Sequence, residues 1–107
     1  MEKLKLVFET LNKVNVGNIK TIDFEGASPF YDYFVIATAT HTQSSAFLGY
    51  LKEEFKAIKS EGDRSGWLLV DLGDIVIHLF DKEERKYYNL DNHLLGFKQL
   101  TQFSSSE

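Results

Sequence analysis

The sequence predicts a small α/β domain, and three observations carry that prediction. Gly66 to Phe80 holds two apolar, largely aliphatic runs around Asp71-Leu72-Gly73-Asp74, a β-hairpin pattern whose glycine can take the positive φ of a tight reversal. Tyr33 to Thr38 is apolar at nearly every position, as a mid-sheet strand covered on both faces requires. Two further segments, one at the start of the chain and one after Thr40, carry apolar residues at helical spacing.

The first segment sets Leu4, Val7, Phe8, Leu11 and Val14 among Glu2, Lys3, Lys5, Glu9 and Lys13, an amphipathic helix ended by Asn15 and Gly17. Its stripe is most simply a core face, with a partner-binding helix as the alternative. Ile19 to Glu25 alternates Ile22 and Phe24 with Asp23 and Glu25, a half-buried or edge strand that Gly26-Ala27-Ser28-Pro29 breaks. Thr40 and Gln43 have capping-box spacing, so a helix starts there, with Phe47, Tyr50, Leu51 and Phe55 as its core stripe. Gly49 weakens it by roughly 1 kcal/mol relative to alanine. Ala57 to Glu61 reads either as the end of that helix or as a short edge strand, and Gly62 to Gly66 is a polar loop.

The hairpin has two registers, and a one-residue slip turns a strand's side chains over. A Leu72-Gly73 loop puts Trp67, Leu69, Asp71, Asp74, Val76 and His78 on one face and Leu68, Val70, Ile75 and Ile77 on the other. A type I turn over Asp71-Leu72 with Gly73 as a bulge residue suits the turn chemistry better, because primed turns reserve Leu72's position for Gly, Asn or Asp. This bulged turn is the expectation, and it sets Trp67 and His78 on opposite faces. Beyond Phe80, Asp81 and Glu84 open a short helix to Tyr88, with Arg85 and Lys86 at the end its dipole prefers. Leu90, Leu94, Leu95, Phe97, Leu100 and Phe103 continue an apolar, loosely packed pattern, and residues 104–107 read as a disordered tail.

At 107 residues one domain, residues 1–103, is expected. No apolar run is long enough to cross a bilayer, the charged start passes directly into a helical pattern, and the cytoplasm is the expected compartment. Cysteine is absent, which removes disulfides, thiolate metal sites and thiol nucleophiles together. A formal charge of -4 disfavours direct DNA or RNA binding and suits a basic protein partner.

Catalytic signals are sparse. His41, His78 and His93 have no metal-ligand spacing, and a lone strand histidine such as His78 is usually structural. Asp71 and Asp74 could bind a cation or act as an acid/base pair, but turn geometry explains both. Thr38-Ala39-Thr40-His41-Thr42 is a strand-to-helix turn of the kind where an open α/β sheet binds a small ligand, although capping explains its threonines equally well. Trp67 reads as core, while Tyr88 is divided between core and interface. No metal, cofactor or catalytic residue is expected.

The order and spacing of Asp32-Tyr33-Phe34-Val35-Ile36-Ala37-Thr38, Gln43, Glu61-Gly62, Gly66-Trp67, Asp71-x-Gly73-Asp74, His78-x-Phe80, Arg85 and Tyr87-Tyr88-x-Leu90 resemble the Iojap-like ribosomal silencing factor family. The resemblance runs from the first helix to about Leu95. It implies a mixed, roughly five-stranded sheet with flanking helices, nucleotidyltransferase-like in topology without catalytic residues, and Ala57 to Glu61 as the third strand. It implies a translation repressor, not an enzyme, that binds the large ribosomal subunit through ribosomal protein number fourteen and sterically blocks joining of the small subunit. A homodimer is a further implication. Carried over by position, the partner-binding residues are Trp67, Leu69, Asp71, Leu72, Asp74 and His78, with Tyr88 nearby. The chain departs from the family at Ala39, where glycine is usual, at Leu72, where an aromatic is usual, and in an ending, Leu90 to Leu95, that lacks the family's tryptophan. A nucleotidyltransferase-like enzyme, the alternative, would need an Asp-x-Asp metal pair after a Gly-Ser helix entry. A generic adaptor domain is the third reading.

Overall fold

A computed structural model describes residues 2–56, 58–62, 66–93 and 98–100, the last three by backbone alone. The N-terminal helix α1 (Glu2–Lys13) buries Leu4, Val7, Phe8 and Leu11, and Asn15 at φ 60 turns the chain out of it. Strand β1 (Gly17–Asp23) leads through the Gly26 to Pro29 break to β2 (Tyr33–Thr38), buried through Val35, Ile36 and Ala37. The expected capping box opens α2 (His41–Glu54): the Thr40 hydroxyl accepts from Gln43 N at 3.1 Å, and Gln43 Oε1 accepts from Thr40 N at 2.9 Å.

The stripe predicted for this helix needs a correction. Tyr50 is exposed, and Leu48 takes its place beside Phe47 and Leu51. The tyrosine lies on the helix flank, where its hydroxyl stays in water while the Lys13 ammonium covers its ring at 4.4 Å.

The ambiguous segment contains a strand, β3 (Lys59–Glu61), paired antiparallel to β4 (Trp67–Asp71), which pairs antiparallel to β5 (Ile75–Phe80). The short helices α3 (Lys82–Tyr88) and α4 (Leu90–His93) and a last strand, β6 (Lys98–Leu100), follow. The expected C-terminal residues Leu94, Leu95, Phe97, Phe103 and 104–107 lie outside the description. The sheet order is β3-β4-β5-β2-β1-β6, so the five expected strands are joined by a sixth beside β1, and only β2 and β5 run parallel. With β2 on one side and β6 on the other, β1 is not an edge.

The expected bulged turn does not form. Asp71 pairs with Val76, Leu72 N donates to Ile75 O at 2.9 Å, and the loop is Gly73-Asp74 with Gly73 at φ 100. Placing glycine first in the loop supplies the positive φ that a type II′ reversal needs there. Leu72 then continues the strand. Trp67 and His78 therefore share a face, contrary to expectation. Leu68, Val70, Leu72, Ile75, Ile77 and Leu79 occupy the opposite face against α1 and α2, forming the main core. The deciding physics is burial: this register sends six of the hairpin's eight aliphatics to the helix side and leaves only Leu69 and Val76 on the other face.

Candidate functional site

With α1 and α2 on one side, the other face of the sheet is left to an aromatic row. Ile22, Phe24, Ile36 and Phe80 form its buried base, with Tyr31, Phe34, Trp67 and Leu90 packed against them and partly exposed. Phe24 meets Phe34 edge-on at 4.9 Å, and Phe34 meets His78 at 4.7 Å. Trp67 stacks on Phe80 at 5.0 Å, and Tyr88 of α3 leans on the indole at 4.6 Å. Beyond this row Phe30 and Tyr87 stand largely exposed.

Trp67, Leu69 and Asp71 alternate out of β4 onto this face, each half-exposed. His78 lies beneath them at 4 % exposure, and its Nδ1 accepts from Trp67 Nε1 at 3.2 Å. The imidazole proton therefore sits on Nε2, which is buried and has no partner among the described residues. Burial lowers the His78 pKa from 6.5 to about 4, so the ring is neutral at physiological pH and holds the indole as an acceptor.

Five of the seven residues singled out in sequence thus come together: Trp67, Leu69, Asp71 and His78 on one face, with Tyr88 against it. Leu72 does not. It is 8 % exposed and packs in the helix-side core, because the register that frees Trp67 turns Leu72 inward. Asp74 sits in the turn, where it accepts from Lys3 Nζ at 2.9 Å, so its charge is directed to the helix layer. Asp71 Oδ1 accepts from Gly73 N at 2.8 Å, the turn role expected of it. Among the described residues no group of three or more His, Asp and Glu could hold a metal ion.

Arg85, read in the sequence as a charge favoured by the dipole at the end of α3, is a structural centre. Its guanidinium donates to Asn18 O at 2.7 Å, to Thr38 Oγ1 at 2.8 Å, and to both oxygens of Asp91 at 3.2 and 2.8 Å. Lys20 adds a second cation to Asp91 at 3.2 Å. Arg85's hydrogen bonds hold the Asp91 pKa at about 2, below its usual 3.8, against an opposing push from burial. The network ties the α3–α4 corner to β1 and β2, and so steadies Tyr88 over Trp67. An Arg and an Asp on either side of Asn89, which ends α3 in the left-handed conformation, were the available signal.

A cavity of about 180 Å³ opens beside Trp67, at the carboxyl ends of the parallel strands β2 and β5. Among the described residues Ala39, His41, Ser44, Gly66, Leu68 and Asp81 line it together with Trp67. Gly66 is required there: a Cβ would stand 2.6 Å from Asp81 Oδ2, and φ is +82.

A mixed sheet covered by α1 and α2 on one face, with partly exposed aromatic, aliphatic and acidic side chains on the other, defines a small α/β domain. Residues 1–96 match the family described as ribosomal silencing factor during starvation, and the chain belongs to that family. It is 37% identical over 95 residues to the ribosomal silencing factor RsfS of Bacillus subtilis, covering 82% of this chain and 80% of that one. With RsfS of Zymomonas mobilis it shares 40% identity over 101 residues, 88% of this chain and 75% of the other. A crystal structure from Bacillus halodurans superimposes with a TM-score of 0.78 at 29% identity, covering 94% of this chain and 97% of that one. The family's general role is ribosomal silencing.

Proposed function

We propose that the chain represses translation by docking its open sheet face on the large ribosomal subunit, through ribosomal protein number fourteen, so that the small subunit is sterically kept from joining. The observation that carries this reading is the half-exposed row Trp67, Leu69 and Asp71 along β4, backed by His78 and flanked by Tyr88. Such a row combines an aromatic anchor, an aliphatic neighbour and a carboxylate suited to a basic partner. Leu72 and Asp74 fall outside it, one in the core and the other paired with Lys3. The cytoplasm, where subunits meet, is the compartment this reading requires. A homodimer belongs to it as well, provided pairing leaves the aromatic face open; sedimentation of the purified chain measures that.

Co-sedimentation with isolated large and small subunits tests the proposal. Selective binding to the large subunit, weakened at least about tenfold by Trp67→Ala as expected of an interface anchor, supports it. Undiminished subunit association at saturating excess of the chain overturns it.

A further inference from the structure

The cavity beside Trp67 has the chemistry of a site for a small free α-amino acid. Ala39 N donates to Phe80 O at 2.8 Å, so Thr40 and Asp81, the N-cap residues of α2 and α3, leave the sheet side by side. The site consequently has two electrically opposite ends. At one, the fourteen-residue α2 presents its positive dipole end, where the N–H groups of His41 and Thr42 have no acceptor among the described residues. At the other, Asp81 has spent Oδ1 on the N–H of Glu84 at 2.8 Å, while Oδ2 faces Gly66 in the cavity wall.

Ser44 is the independent sign of a ligand. It is 6 % exposed and lines the cavity, yet its hydroxyl has no partner among the described residues. A helical hydroxyl usually satisfies itself on the carbonyl four residues back, as Thr10 does on Leu6 O at 2.8 Å. Ser44 does not. A hydroxyl that no described residue satisfies, in a nearly buried residue that lines the cavity, is available to a ligand there.

From these features we infer that the cavity binds a small zwitterion, a free α-amino acid of the size of glycine, alanine or serine. Its carboxylate lies against the start of α2, its ammonium against Asp81, and Ser44 bonds to either group. Ala39, Leu68 and Trp67, which line the cavity, border the space for the short side chain. A simple anion would meet Asp81 and a simple cation would meet the positive end of α2, whereas a zwitterion satisfies both. At about 30 Å³ per water, the 180 Å³ cavity has room for roughly six waters, a space that a small amino acid fills and a nucleotide exceeds. Because Trp67 is both a wall of this cavity and the anchor of the proposed docking face, amino-acid occupancy and ribosome docking are coupled. That clause alone rests on the docking proposal.

The sole tryptophan makes the test direct. L-Alanine titrated into the full chain should change Trp67 fluorescence saturably, at about millimolar concentration as fits a ligand this small. N-Acetylalanine and alaninamide, each lacking one charge, should bind at least about tenfold more weakly. Asp81→Asn retains a good N-cap while removing the charge and should weaken alanine by a similar factor; Ser44→Ala should weaken it with the circular dichroism unchanged. No saturable response to alanine, glycine or serine at tens of millimolar overturns the inference. So does an equal response to the two blocked derivatives. Adding alanine to the large-subunit co-sedimentation then reads the coupling: alanine binding without altered docking removes the coupling and leaves the site, while failure of the chain to dock at all refutes the docking proposal and leaves the fluorescence result to decide the site.

Discussion

Replacing Arg85 by methionine keeps an unbranched apolar stem and deletes the guanidinium with its charge, and the structure sets the size of the effect. The guanidinium makes four hydrogen bonds, two of them to Asp91, with the Arg85 and Asp91 side chains only 15% and 20% exposed. Bonds to charged groups contribute about 1.5–3 kcal/mol each at full burial. Water recovers part of this at Asn18 O, and Lys20 remains on Asp91 at 3.2 Å, so the carboxylate is not stranded. The expected net loss is about 3 kcal/mol, which lowers Tm by roughly 12 °C for a domain of this size. Urea denaturation measures it, and a cycle with Asp91→Asn should return a coupling of about 1–2 kcal/mol. Freed from its tether, the α3–α4 corner should also let Tyr88 leave the indole, moving Trp67 emission to the red under native conditions. A stability change below about 0.5 kcal/mol, against about 3 expected from the bond count, would refute the claim that this network holds the corner.

Gly49 lies exposed in the interior of α2, and a Cβ there meets nothing within 4 Å. Gly49→Ala should therefore raise stability by about 1 kcal/mol in the same assay. Acid should destabilise the fold in two stages. Between about pH 6.5 and 4 the unfolded chain binds a proton that the folded chain refuses at His78, so stability present above pH 6.5 is lost as the pH falls towards 4, by roughly 3 kcal/mol in all. Asp91 contributes stability present above pH 3.8 and lost as the pH falls through about 2. Denaturation midpoints across pH 3–7 trace the first stage, which His78→Gln should flatten. Asp74→Lys should reduce stability by less than about 1 kcal/mol, as for an exposed ion pair, and leave co-sedimentation with large subunits unchanged; a loss of binding would return Asp74 to the docking surface.

The elements were legible because their signals are local. Capping at Thr40 and Asp81, the apolar stripe of α1, and the unbroken apolar run of β2 each arise within a few neighbouring residues and survive in the folded chain. Family membership was legible for a related reason, since the order and spacing of Gly66-Trp67, His78-x-Phe80 and Arg85 are properties of the chain itself.

What tertiary structure alone decided was which side of the sheet each hairpin residue faces. Turn chemistry around Leu72 favoured a bulge, yet two helices needed a continuous aliphatic surface to cover, and the register that supplies it buries Leu72 and sets Trp67 beside His78. The Arg85–Asp91 network, the position of Tyr50 on the flank of α2 and the cavity between two helix caps depend likewise on partners distant in sequence. Short-range preferences amount to about 1 kcal/mol apiece. Burial of a whole sheet face far exceeds them, so the sequence could name the side chains of the docking face, and only packing could turn them outward together.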